Sequence, residues 1–586
     1  MTSSPTPRAP AGHLPAWLLL AALAAGAYLA GLAVPYRVDT DTGFQLRSLQ
    51  QWTAGDTPDP GTLRLPDPRD LSRDALVWSS WWPPGFPFLY APLAATSLSL
   101  ADALRAASAL FFFAGAAGWL RLAGRLGLSP GVRLLYAASL AAYAATLGGA
   151  ASLRSADLLA FAGCPWLVAL ALRLGEAEAP PRWLALGGLA LGASYWLKYS
   201  LFLAALALAA WIALRAVHTA GVSRAAALRL AALGLGFALP VAALFVFNLR
   251  QSGSVSESAS GTRAEWQPEE TVTTRPTRLV AGVAGAPGLA LFQSHTWITH
   301  LVYFSDARLP FFRGLSVADR LLAKSLLGIP GTAALVWGLV RARRLRPGPA
   351  GSLGAALPAG FYLALTAISI VIGYNYLANE PRLAAGFMPF SQLLALAGWL
   401  APHEAPRPWR ELAASILALS LFFVAPLAFI AADFGRNEVL DRLRPPYTAS
   451  ATGLYVPEIS PRDVPAVRAA VASAMATPRD VVVLAGPAGW GSSFVMWLES
   501  PGRTLPVSTF FLPLGGLYMD AADLRSTRPL TTSRDLGVAL VVADSLLAEG
   551  WLPRLQARFP QARTWRRIPV PDHSGVAVWR GDLEAP

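Results

Sequence analysis

Long apolar stretches separated by short polar loops set the pattern of this chain from its first residues. The run "LPAWLLLAALAAGAYLAGLAV" has the length of about 20 residues that carries an α-helix across a bilayer core. It is longer than the roughly 7–15 residue apolar region of a secretory signal, so it predicts an uncleaved first span at 14–34. Further runs predict spans near 104–122, 132–150, 157–173, 183–197, 200–216, 227–248, 321–340, 354–376, 383–400 and 411–432, about eleven crossings in all. The run "PGFPFLYAPLAATSLSL" at 84–100 is short and interrupted by proline. It predicts an interfacial or re-entrant segment that does not cross.

The loop charges orient this array. With a cytoplasmic N-terminus, the inner loops receive Arg121, Arg125 and Arg133, then Arg173 and Arg182, then Arg215, Arg224 and Arg229. The cluster "RARRLR" and Arg407 with Arg410 fall on the same side. The short outer loops receive Arg154, Lys198 and Arg382, one each. That asymmetry is what the positive-inside rule demands, and counting 84–100 as a span would invert it. Three outer segments result: loops 35–103 and 249–320, and everything after about 433.

The last segment changes character. "DVPAVRAAVASAMA" and "LLAEGWLPRLQARF" have helical patterns, "DVVVLAG" and "LGVALVVADS" those of buried strands. "TWRRIPV" and "GVAVWRG" form a hairpin pattern around "PDHSG". The expected architecture is a polytopic α-helical membrane protein over 1–433 with an extracytoplasmic α/β domain over 434–586.

Composition agrees. Of 586 residues, 54% are hydrophobic and 14% charged, against roughly 25% charged in soluble domains, and the mean hydropathy is +0.43. The net charge of +13 is accounted for by inner-loop arginines, so nucleic-acid binding is not implied. Much Ala, Arg and Pro with few Lys fits a GC-rich bacterial genome. The single Cys164, inside an apolar run, excludes a disulfide or cysteine metal site within one chain.

One motif is a decoy. "VVVLAGPAGWGSS" mimics a phosphate-binding loop after a strand, but Ser492 stands where the lysine belongs, and the domain lies on the side without ATP. No nucleotide site is expected.

The charges at span ends say more, because charge at that depth is costly. On the outer face they are Asp39, Asp41, Arg47, Arg154, Asp157, Lys198, Glu380 and Arg382. Carboxylates suit a general base acting on a hydroxyl. Arginine offers a phosphate a fork and lysine a point charge. Together they describe transfer of a group from a membrane-embedded phosphate carrier to a hydroxyl. Structural alternatives stand beside these roles. Asp41 also suits a loop N-cap or a metal or water ligand. Asp39 also suits an ion pair with Arg37 or Arg47. Asp157 also suits a cap or a pair with Arg154. Lys198 and Arg382 also suit snorkelling to headgroups.

In order along the chain, "DTDTGFQLRSLQQWTAG", "WWPPGFPFLYAPLAA", "LRSADLLAF", "GASYWLKYSLFL", "FNLRQSGS" and "NEPRLAAGFMPF" resemble the outer-face elements of GT-C membrane glycosyltransferases. Residues 14–435 are covered, and the type is similar to protein O-mannosyltransferases and lipid A aminoarabinose transferases. The resemblance implies a polyprenyl-phosphate sugar donor, an acceptor in the cell envelope, and one inverting displacement at the outer face of the inner membrane. It implies Asp41 or Asp39 as base. It implies Lys198 and Arg382, with Arg154, beside the departing lipid phosphate, and Asp157, Glu380 and Arg47 as further substrate contacts. No metal or other cofactor is required, and a divalent ion at Asp39 and Asp41 is compatible with it. This chain has Asp39-Thr40-Asp41 where the family often has Asp-Glu, Trp82 where some members have lysine, and Leu383 where tyrosine is usual. A flippase of a lipid-linked intermediate or an inactive scaffold are the alternatives. The first needs repeats and midspan charges, which the sequence does not show.

Overall fold

A computed structural model describes residues 14–32, 36–38, 42, 45–46, most of 83–252, isolated positions between 255 and 399, and 463–486, 503–508 and 537–583 with short gaps. In chain order the membrane part has α1 (Leu14–Leu32), β1 (Arg37–Val38), α2 (Gly85–Ala94), α3 (Leu100–Arg125), α4 (Pro130–Leu147), β2 (Ser152–Leu153), α5 (Asp157–Glu176), α6 (Pro181–Ala193), α7 (Leu201–Ala220) and α8 (Arg224–Ser252). The first seven expected spans each coincide with one of α1 and α3–α8. Expected spans 354–376 and 411–432 lie outside the described residues, and 321–340 and 383–400 are described only at isolated positions.

Among the described residues, Leu100–Arg125, Asp157–Gly175 and Arg224–Arg250 are long and apolar enough to cross a membrane. The ten residues of α2 reach about 15 Å, half of a roughly 30 Å hydrocarbon core. Pro92 cannot donate to the preceding turn, and the helix stops two residues later. The outward side of α8 shows Leu228, Leu235, Leu239 and Val246, whereas Leu233 and Leu244 are buried. An outer surface so apolar suits hydrocarbon, not water.

Small residues set two helix contacts. A Cβ on Gly188 or Gly192 of α6 would collide with backbone oxygens of Leu233 and Phe237 on α8, and one on Gly236 would collide with the Ala185 carbonyl. This spacing of small residues lets helix backbones approach closely in a bilayer. Likewise, a Cβ on Gly115 or Gly118 of α3 would strike Phe161 and Pro165 of α5. Pro165 has no N–H for the Phe161 carbonyl, and the Trp119 indole donates to that oxygen instead, at 3.1 Å.

The later part has α9 (Val464–Ala474), β3 (Val481–Gly486), β4 (Arg503–Ser508), β5 (Val538–Ala543), α10 (Asp544–Ala548), α11 (Leu552–Ala557), β6 (Ala562–Ile568) and β7 (Val576–Leu583). The five strands lie in the order β4-β3-β5-β7-β6. β3 is parallel to β4 and β5, while β7 runs antiparallel to β5 and β6. Val482 and Leu484 face one cluster and Val483 and Ala485 the other, as period-two alternation requires. Buried Asp480 ties the sheet's start together, accepting from the Ala476 amide at 2.6 Å and the Gly537 amide at 3.1 Å. The expected helix after β5 is divided in two, broken at Gly550 with φ 76°. The cluster on the α9 side of the sheet continues without interruption into Phe86 and Tyr90 of α2 and Leu104 of α3.

Candidate active site

Asp157 opens α5, where the positive end of the helix dipole favours its carboxylate. Lys198 lies in the turn between a single 3-10 turn, Ser194–Trp196, and the start of α7. The Lys198 ammonium and Asp157 Oδ1 form an ion pair. Both are buried, Asp157 at 1% exposure and Lys198 at 8%. The alternative pairing of Asp157 with Arg154 lies outside the described residues. Burial of the lysine removes the snorkelling alternative.

The turn that carries Lys198 is fixed from several sides. Ser194 Oγ donates to the Leu191 carbonyl at 2.6 Å. The Trp196 indole donates to the Pro240 carbonyl of α8 at 2.8 Å. Tyr199 OH accepts from Asn248 Nδ2 at 3.1 Å, and Asn248 is itself 1% exposed. The Tyr195 ring packs on Tyr199, Phe202 and Phe245. Gly85, at the start of α2, lies so close to the Trp196 carbonyl that no Cβ fits there. The "PPGFP" segment is thereby held directly against the lysine turn.

The first outer loop is anchored beside this group. β1 and β2 are parallel, Arg37 opposite Ser152 and Val38 opposite Leu153. Tyr36, just before β1, is buried, with its hydroxyl 3.3 Å from Ser108 Oγ. The Arg105 guanidinium lies over its ring, 5.3 Å from the centroid, and bonds Asp102 at 2.9 Å. Burial pushes the Tyr36 phenol well above its usual pKa, against smaller lowering effects of the Ser108 hydrogen bond and the Arg105 charge. It therefore stays neutral and is no base. Beyond Asp41, Thr42, Gln45 and Leu46 are buried, and Leu46 joins the cluster with Tyr36, Phe86 and Tyr90.

Of the residues expected at the site, the structure brings Asp157 and Lys198 together. Asp39, Asp41, Arg47, Arg154, Glu380 and Arg382 lie outside the described residues, as do residues 487–500 after β3, where the false phosphate loop falls. Among the described residues, no group of three His, Cys, Asp or Glu stands where it would hold a metal ion. The sequence pattern does not single out Tyr36, Arg105 or Ser108, whereas Tyr199 and Asn248 stand inside two of the outer-face stretches quoted above, "GASYWLKYSLFL" and "FNLRQSGS". For Arg105 the signal was present, a cation inside an apolar run. For the others no local pattern marks the contact.

The described helices and their apolar outer surface define an integral membrane protein with a buried Asp–Lys pair at one end of its helices. The chain is similar in structure to ArnT from Cupriavidus metallidurans bound to undecaprenyl phosphate, with 13% identity, a TM-score of 0.46, and 97% of this chain and 99% of that one covered. It is similar to the same protein in the apo state, at 13% identity and TM-score 0.46, covering 98% and 99%. It is also similar to the arabinofuranosyltransferase AftD from Mycobacteria, at 15% identity and TM-score 0.44, covering 100% of this chain and 42% of that one. No protein-family model and no curated protein matches the chain.

Proposed function

We propose that the chain is a membrane glycosyltransferase of the GT-C type, working at the outer face of the inner membrane. It transfers a sugar from a polyprenyl-phosphate donor to a hydroxyl on a cell-envelope glycan, lipid or protein. Asp41 or Asp39 takes the proton as the acceptor oxygen bonds to the anomeric carbon. The bond from that carbon to the phosphate oxygen breaks, and its electron pair leaves with the lipid phosphate, which inverts the anomeric centre. Lys198, with Arg382 and Arg154, stabilises the negative charge on the leaving phosphate. The N-terminus is cytoplasmic and the α/β domain extracytoplasmic. The step needs no nucleotide, and a divalent ion at Asp39 and Asp41 is compatible with it.

The observation that carries this reading is the buried Asp157–Lys198 pair. Two residues from separate outer-face motifs, distant in sequence, meet at one point beside the segment that opens α2. An ion pair is costly to bury, and a site that must bind a charged group gives it a reason to be there. The test uses membranes carrying the wild type, Asp39→Asn or Asp41→Asn, supplied with a panel of polyprenyl-phosphate sugars. The wild type releases sugar from one donor, and one Asn variant loses that activity by at least about 100-fold, in the range of general-base catalysis. No turnover with any donor sinks the enzyme reading, and full activity in both variants sinks the base assignment.

A further inference from the structure

Asn248 sits in the last turn of α8 with its side chain buried. A carboxamide has two N–H donors on one nitrogen. Here that nitrogen donates to Tyr199 OH at 3.1 Å and to the Val255 carbonyl at 2.9 Å. The first acceptor belongs to the residue that follows Lys198. The second lies three residues past the end of α8, at the beginning of the outer segment 249–320. Both bonds come from a single nitrogen, so both hold only in one side-chain rotamer. A shift of Val255 therefore pulls on the atom that fixes Tyr199. The Tyr199 ring is held in turn by Tyr195, which packs on Phe245 of the same helix that carries Asn248.

Resting on the proposed function, we infer that Asn248 is a positioning residue. It sets the turn that aims Lys198 at the lipid phosphate, and it ties that turn to the start of the second outer segment. It does not touch the phosphate itself.

The test measures binding of undecaprenyl phosphate to the purified full-length protein in nanodiscs, for wild type, Lys198→Ala, Asn248→Ala, Tyr199→Phe and the Asn248→Ala/Tyr199→Phe double variant. Thermal unfolding is followed in parallel. Lys198→Ala weakens binding at least about tenfold, the loss of one charge-assisted contact. Asn248→Ala and Tyr199→Phe each weaken it by about five- to tenfold, and the double variant no further than the weaker-binding single one, because both act through one bond. Unfolding temperatures of the single variants need not follow affinity, which separates positioning from a general loss of structure. If Asn248→Ala does not fold, Tyr199→Phe carries the result. Unchanged affinity in both alongside a weakened Lys198→Ala overturns the clamp alone. Unchanged affinity in Lys198→Ala overturns the phosphate role of the lysine, and the clamp with it.

Discussion

At the scale of the residue, the ion pair makes the sharpest prediction. Asp157→Asn leaves the Lys198 ammonium buried without its anion, which costs about 3–5 kcal/mol. The double variant Asp157→Leu/Lys198→Met removes both charges and recovers most of that stability, while phosphate binding stays lost. Thermal unfolding in detergent, read beside undecaprenyl phosphate binding, checks both halves. A double variant as unstable as Asp157→Asn alone contradicts the argument. The two residues were legible in the sequence as charges at the ends of apolar runs. Their pairing was not, because it joins α5 to the turn before α7 across the helix array, and no local spacing encodes such a contact. The same holds for Tyr36 with Ser108 and for Asn248 with Tyr199. Each is a polar bond between segments far apart in the chain, which no local spacing encodes.

At the scale of the element, the crossing of α6 with α8 depends on the absence of side chains. Gly192→Leu drives a branched side chain into the Phe237 carbonyl and Pro240. Overpacking of this kind costs about 1–3 kcal/mol and more where backbone is the obstacle. Gly234, on the same helix α8, has nothing within 4 Å of the position a Cβ would take. Gly234→Ala is then neutral or stabilising by up to about 1 kcal/mol, from helix propensity alone. Unfolding followed by tryptophan fluorescence distinguishes the two, and equal effects would show that packing is not what fixes the crossing. Most elements were legible because apolar run length and alternation are local signals, so α1, α3–α9, β3, β5 and the β6–β7 hairpin follow the sequence pattern. β4 was not foreseen. Its Pro506 argues against a strand in general, yet β4 is the edge of the sheet, where a proline is tolerated. The division into α10 and α11 follows from Gly550, whose left-handed backbone ends a helix.

At the scale of the whole molecule, the proposed orientation sends loops to opposite sides. A cysteine at His573, whose side chain is 76% exposed, reacts with a membrane-impermeant maleimide on intact cells when Cys164 is replaced. A cysteine at the exposed His218, past the end of the sixth expected span, reacts only after the membrane is opened. The reverse pattern contradicts the topology. The cluster shared by α9, the sheet, α2 and α3 was illegible in the sequence, since it joins buried apolar residues far apart in the chain. The strand order carries a further consequence, for biogenesis. β7 lies between β5 and β6 although it is made after both. Until residues 576–583 emerge, β5 has one open side and β6 has no neighbour at all. A chain stalled or cut before that point presents one open edge of β5 and the whole of β6 unpaired to the quality-control proteases of its compartment, so the sheet acts as a proof that synthesis has passed residue 583.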